Sequence, residues 1–180
     1  GENHPACRQA LAAVEGRLRA LLAPAGAGQR SGRGRRPVDG FHRELGLLMI
    51  EVCGISRSGP RLRQAINEVE ELRQRFAEEG AVAEGAGGGA RGIHDELEKA
   101  LRLQDFFGLA DLMLRDALAR EESCGAHFRE EHQTAEGEAL RDDANFSHIA
   151  AWEWAGQGEP RRHTEPLSYT TLTPSARSYR

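Results

Sequence analysis

One segment of this chain carries more apolar side chains at helical spacing than a single helix face can hold, and that narrows the fold more than any other feature. From Ile93 to about Ser123, roughly 31 residues that would span about 46 Å as one helix, no proline intervenes. Leu97, Leu101, Leu103, Phe106, Phe107, Leu109, Leu112, Met113, Leu114 and Leu118 fall on more than one side of it. A helix that is apolar on several sides belongs in the middle of a bundle. Gly108 lies inside the segment, and glycine in a helix interior costs about 1 kcal/mol, so a kink or a close helix contact is expected there.

Three further segments offer partners for that helix. Asn3 with Pro5 reads as a capping side chain followed by a first-turn proline, and Leu11, Val14, Leu18, Leu21 and Leu22 then form one stripe. Val38, Phe41, Leu45, Leu48, Met49 and Val52 mark a second helix, which Gly54 can end. Ser58 and Pro60 repeat the cap and proline, and Leu62, Ile66, Val69, Leu72 and Phe76 follow at spacings of three and four. Residues 24–37 and 80–92 are glycine-rich connections. The first holds four arginines but no interleaved aromatic, so it has no stacking platform for RNA. The second lacks the lysine and hydroxyl residue of a phosphate-binding loop and the GxGxxG order.

Beyond Glu131 the period changes. Thr134 to Asp143 is polar and acidic, and Phe146 to Trp154 and His163 to Leu172 read as extended segments joined by the turn-rich Gly156 to Pro160. Trp152 and Trp154 are expected to cover the core, although tryptophan is also common at partner interfaces. The predicted architecture is mainly α: a three- to four-helix bundle over residues 1–133, with an extended or hairpin C-terminal tail over 134–180.

Charge and cysteine usage exclude several functions. A net charge of -4, from 24 basic and 28 acidic residues, argues against non-specific binding to nucleic acid or to an anionic membrane face. No apolar run approaches the roughly 18 to 20 residues of a membrane span, and no signal sequence is evident. Cys7, Cys53 and Cys124 have no CxxC spacing, so neither a disulfide framework nor a structural zinc site is expected, and a reducing compartment is the simple reading. The chain opens Gly1-Glu2-Asn3-His4-Pro5 rather than with methionine and reads as an excised piece of a longer protein.

The stretch from Arg120 to Glu131 breaks the local rules that the helices obey. Glu121 and Glu122 are expected in a last helical turn, where the dipole disfavours anions by roughly 0.3–1 kcal/mol each. Gly125 can supply the left-handed residue that ends the helix, after which His127 and Arg129 turn back toward those carboxylates. Arg120, Glu121, Glu122, Ser123, Gly125, His127, Arg129 and Glu130 therefore read as one structural network at a helix exit. It either locks the tail onto the bundle or also presents a docking surface. Cys124, His127 and His132 lack the paired spacings of a metal site. As a nucleophile, Cys124 would have its thiol pKa raised by Glu121 and Glu122, and no third orienting group is evident.

The residues from Arg120 to Glu131, Arg-Glu-Glu-Ser-Cys-Gly-Ala-His-Phe-Arg-Glu-Glu, resemble the signature in the C-terminal domain of succinate dehydrogenase and fumarate reductase flavoprotein subunits. Val38 to Gly46, Leu109 to Ala119, Gly137 to Asp143 and Arg177 to Tyr179 extend the likeness over most of the chain outside the two glycine-rich connections. Cys124 stands where many relatives carry arginine. The resemblance implies a helical docking module of an enzyme that oxidises succinate to fumarate and passes electrons to an iron-sulfur subunit and a membrane quinone site. It also implies a cytoplasmic location, peripheral on the inner membrane through partner subunits.

FAD and the catalytic residues would lie in an upstream domain of the parent subunit. The chain itself agrees, since it has no glycine-rich strand-to-helix fingerprint. No catalytic, cofactor-binding or metal residue is expected within it, and the fragment alone is expected to be inactive. L-Aspartate oxidase, with a similar Glu-Ser-x-Gly-x-His motif, and a free-standing helical adaptor are the rival readings.

Overall fold

The computed structural model describes residues 4–22, 36–81, 95–155, 159–172 and 174–175. Asn3, most of both glycine-rich connections, the turn at 156–158 and Arg177 to Tyr179 lie outside them. The fold is mainly α, with a hairpin near the C-terminus. Its long helices are α1 (Pro5–Leu22), α2 (Val38–Val52), α3 (Gly59–Glu79) and α4 (Asp95–Ala119), with a single turn α5 (Asp143–Phe146). Strands β1 (Arg36–Pro37) and β3 (Gly80–Ala81) pair in parallel, as do β2 (Ser56–Arg57) and β4 (Phe128–Arg129). The antiparallel hairpin joins β5 (His148–Glu153) to β6 (Arg161–Pro166), with His148 opposite Pro166 and Glu153 opposite Arg161.

The chain forms two units: Gly1–Leu45 with Glu70–Phe107, and Gly46–Val69 with Gly108–Arg180. In the first, Phe41 and Phe76 meet edge to face at 5.3 Å, and Phe107 lies 5.9 Å from Phe76. Such aromatic pairs add about 0.5–1.5 kcal/mol beyond the area they bury. Arg36 lies over the Phe41 ring at 4.5 Å and pairs with Glu44, which also takes Arg75. Burial pushes the Glu44 carboxyl up, but those two arginines outweigh it and hold it below its ordinary value. Helix α1 buries none of its residues and is tied to α4 by Arg17, which donates to Gln104 and Asp105. Its first turn is capped by the His4 ring, which accepts the Ala6 amide at 3.2 Å.

The second unit buries Val52, Leu62, Ala65, Val69, Ala110, Leu114 and Ala117. Ser58 caps α3, its carbonyl accepting the Leu62 amide and its hydroxyl the Arg61 amide, with Pro60 in the first turn where its missing N–H is harmless. Gly54 follows the end of α2 at a place where a side chain would not fit: a Cβ there would stand 2.8 Å from the Ile50 carbonyl oxygen. The hairpin is held to α4 by Trp152, whose indole donates to Asp116 at 2.8 Å, and by Arg115, which pairs with Glu159.

Several local expectations are corrected. Helix α4 ends at Ala119 rather than Ser123. It does not occupy the middle of a bundle: Ala100, Leu103, Phe107, Ala110, Leu114 and Ala117 form one buried stripe, while Phe106, Leu109 and Met113 are 40–55% exposed. Three alanines carry half of the buried face, which a count of large side chains overlooks. The helix runs unbroken through Gly108, where a Cβ would meet nothing within 4 Å, so no close contact is made there. Trp152 is half-buried as core cover, but Trp154 is 82% exposed.

Candidate functional site

The last turn of α4 closes with the Arg120 amide donating to the Asp116 carbonyl, and the chain leaves the helix there. Glu121 and Glu122 therefore lie past the final turn, and the expected conflict with the helix dipole does not arise. Glu122 is 2% exposed, and both of its oxygens accept hydrogen bonds. One accepts both Arg120 Nε and Nη2, at 2.8 and 2.6 Å, and the other accepts the Asp142 amide at 2.9 Å. Ser123, wholly buried, donates its amide to the Leu140 carbonyl. Its hydroxyl accepts the Arg129 amide at 2.8 Å and donates to the Arg129 carbonyl at 3.2 Å. These bonds fasten 138–142 to the helix exit.

Cys124 and His127 exchange backbone hydrogen bonds across a two-residue turn whose first central residue is Gly125, with φ +60°. Glycine reaches that conformation without a Cβ clash, as hairpin turns of this hand require. Gly125 thus closes a tight turn and is not the cap of α4, because the helix has already ended at Ala119.

The turn directs Arg129 back beneath α4. Its guanidinium, almost fully buried, donates through Nη1 to the carbonyls of Ala117, Leu118 and Arg120 at 3.0–3.2 Å. Instead of pairing with Glu121 or Glu122, Arg129 caps the negative end of the helix, where a cation is favoured. Its Nε pairs with Glu131 at 3.2 Å, and the other oxygen of Glu131 accepts the Gly59 amide at 2.5 Å, the first residue of α3. One ion pair therefore joins two helix ends, each charge facing a dipole of opposite sign. Burial raises the Glu131 carboxyl, yet the Gly59 amide and Arg129 leave it below its usual value.

His127, 8% exposed, sits between Arg57 and the helix exit. Arg57 Nη1 lies 2.7 Å from His127 Nδ1, and Nε2 lies 2.9 Å from the Arg120 carbonyl. Guanidinium can only donate, so Nδ1 accepts and Nε2–H donates, which describes a neutral imidazole. Burial lowers the His127 pKa, partly opposed by the Arg120 carbonyl and assisted by the charges of Arg57, Arg120 and Arg129. The parallel β2–β4 pairing places these groups, through the Phe128 amide to Ile55 and the Glu130 amide to Arg57. The Glu130 side chain accepts from the Ser56 hydroxyl at 2.8 Å.

Seven of the eight residues read from the sequence thus share one set of bonds or the turn that organises it. Glu121 does not: it is exposed and lines an open cavity of about 470 Å³ with residues including His132, Leu140 and Arg141. Sequence reasoning missed Arg57, Gly59, Glu131 and Asp142 as members. The Ser58-Gly59-Pro60 stretch marked the start of α3, but nothing local named Glu131 as a partner for it. Chemically, the buried polar groups are spent on one another and on backbone, which suits holding parts together rather than transforming a substrate.

A match to the family described as fumarate reductase flavoprotein C-term spans residues 42–179, the whole of this site included. The chain belongs to that family. It is 33% identical over 137 residues to the fumarate reductase flavoprotein subunit of Escherichia coli K12, covering 76% of this chain and 21% of that protein. The Mycobacterium tuberculosis H37Rv fumarate reductase flavoprotein subunit is 28% identical over 150 residues, covering 83% and 24%. The chain thus spans about a fifth to a quarter of the length of these curated relatives.

Among solved structures, a quinol fumarate reductase of Escherichia coli with a mutated FrdA aligns with a TM-score of 0.70 at 29% identity, over 98% of this chain and 27% of that one. A quinol-fumarate reductase with menaquinol molecules gives 0.69 at 28%, over 97% and 28%. The Mycobacterium smegmatis Sdh1 complex, at 18% identity and a TM-score of 0.66 over 92% and 25%, shares the fold.

Proposed function

We propose that this domain is the scaffold of a flavoprotein subunit that interconverts succinate and fumarate, and that Arg120, Glu122, Ser123, His127, Arg129 and Glu130 hold its docking surface in shape. The observation that carries this reading is the Arg129–Glu131 bridge, which spends the buried Arg129 charge on joining α4 to α3. On this reading the parent subunit holds FAD upstream, exchanges electrons with an iron-sulfur subunit, and reaches a membrane anchor only through its partners. No helix among the described residues is long and apolar enough to cross a membrane.

A dinucleotide site needs a parallel strand, a glycine-rich turn and a helix N-terminus. Among the described residues the longest strands are the two of an antiparallel hairpin, which supports reading the dinucleotide fold as lying upstream. Redox chemistry is accordingly assigned to the parent polypeptide. The test compares the 180-residue chain with the full-length subunit for bound flavin and for succinate-dependent dye reduction. Flavin and activity in the full subunit alone are expected. A flavin-bound or active 180-residue chain would overturn the proposal.

A further inference from the structure

The segment that follows β6 is fastened at both ends, and its residues Leu167, Tyr169 and Leu172 are exposed. Its first residue, Leu167, donates its amide to the Ser147 carbonyl at 2.9 Å. Near its end the Ser175 carbonyl accepts from Arg141 Nη1 at 3.0 Å, and Arg141 is itself held by Asp143. Between these anchors Ser168 to Leu172 form neither helix nor strand, and their backbone makes no hydrogen bond among the described residues. Leu167, Tyr169 and Leu172 are 40%, 52% and 78% exposed. From Pro166 to Pro174 the sequence holds no charged residue, in a chain that is 29% charged.

That composition is the composition of an interface core, where charge is depleted and tyrosine enriched. Fastening both ends lowers the ordering entropy that covering the segment would otherwise cost. We propose that Leu167 to Leu172 form a strap covered by the upstream portion of the chain's own subunit. The inference rests on the reading of the chain as the C-terminal domain of a longer flavoprotein.

Two observations choose that occupant. The chain corresponds to 21–24% of its relatives' length, so most of such a polypeptide lies outside it. An uncharged strap also suits a permanent contact, since separable partners bury more polar surface. Covalent linkage holds the two surfaces at an effective concentration of about millimolar order, so a short strap suffices. The covering surface then has a definite chemistry: apolar hollows for two leucines and a tyrosine, and backbone partners for peptide groups taken out of water.

Amide hydrogen exchange on the full-length subunit tests this, with and without its iron-sulfur partner and at two protein concentrations. Amides of Ser168 to Leu172 are expected to exchange about tenfold or more slower than free peptide in the subunit alone, at both concentrations. Leu172→Arg is expected to restore fast exchange in the strap while Arg120 to Glu131 stay protected. Protection that needs the iron-sulfur subunit, or that appears only at high concentration, assigns the strap to another protein or a second copy and overturns the proposal. Fast exchange throughout also overturns it. Flavin absorbance of the same sample tests the underlying reading: a subunit without flavin refutes the proposed function, whereas a flavin-loaded subunit with an open strap refutes the strap alone.

Discussion

The Arg129 guanidinium and the Glu131 carboxylate, 3.2 Å apart, tie the C-terminal end of α4 to the N-terminal end of α3. Each charge also meets backbone groups at a helix end, three carbonyls for Arg129 and the Gly59 amide for Glu131. Truncating Arg129 would strand the Ala117 and Leu118 carbonyls, while the Arg120 carbonyl keeps His127 and Glu131 keeps only the Gly59 amide. Arg129→Ala is expected to destabilise the protein by about 2–3 kcal/mol, chiefly through buried backbone acceptors left unsatisfied. Glu131 is 39% exposed at its side chain, so solvent screens its share, and Glu131→Gln is expected to cost only about 1 kcal/mol. Urea unfolding of the two variants checks both, and equal losses would refute the asymmetry.

His127 makes stability depend on pH in a definite direction. Its folded pKa lies below the unfolded value of about 6.5, so the unfolded chain binds the proton first as pH falls. Its contribution is complete above about pH 6.5 and declines below it, toward the folded pKa. Protonation would also place a hydrogen on Nδ1, against Arg57. The unfolding free energy of His127→Asn is expected to fall less steeply than that of the parent below that pH. Parallel slopes in urea titrations across pH 5–7 would count against the assignment.

Two glycines of the long helices should respond oppositely to alanine. At Gly59 the new Cβ would stand 2.7 Å from Arg129 Nη2 and 3.3 Å from the Glu131 carboxylate, so the ion pair must shift. Gly59→Ala is expected to cost about 1–3 kcal/mol. At Gly108 the Cβ meets nothing within 4 Å, and alanine gains about 0.5–1 kcal/mol of helix preference. Melting temperatures that move in the same direction would contradict this contrast.

The hairpin tryptophans separate in the same way. Trp152→Phe removes the bond to Asp116 and leaves that carboxylate facing an apolar ring, a loss of about 1 kcal/mol. Trp154 is 82% exposed, and Trp154→Ser is expected to stay within about 0.5 kcal/mol. Thermal unfolding of both variants measures the difference.

The amino-acid sequence by itself determined what is periodic or local. The stripes of α2 and α3, the Ser58-Gly59-Pro60 helix start, the change to a period of two near Ile149 and the family signature from Arg120 to Glu131 are all written in spacing and identity. Tertiary structure decided what depends on residues brought together from afar. Arg129 was readable as a charge near a helix exit, but its three carbonyls and its link through Glu131 to Gly59, 72 residues away, follow only once α3 and β4 lie side by side. The end of α4 at Ala119, and the single face on which it packs, were set likewise by alanines whose worth lies in how closely they let neighbours approach. Periodicity reports which side chains share a face, whereas hydrogen-bond partners and close packing depend on what the rest of the chain lays against it.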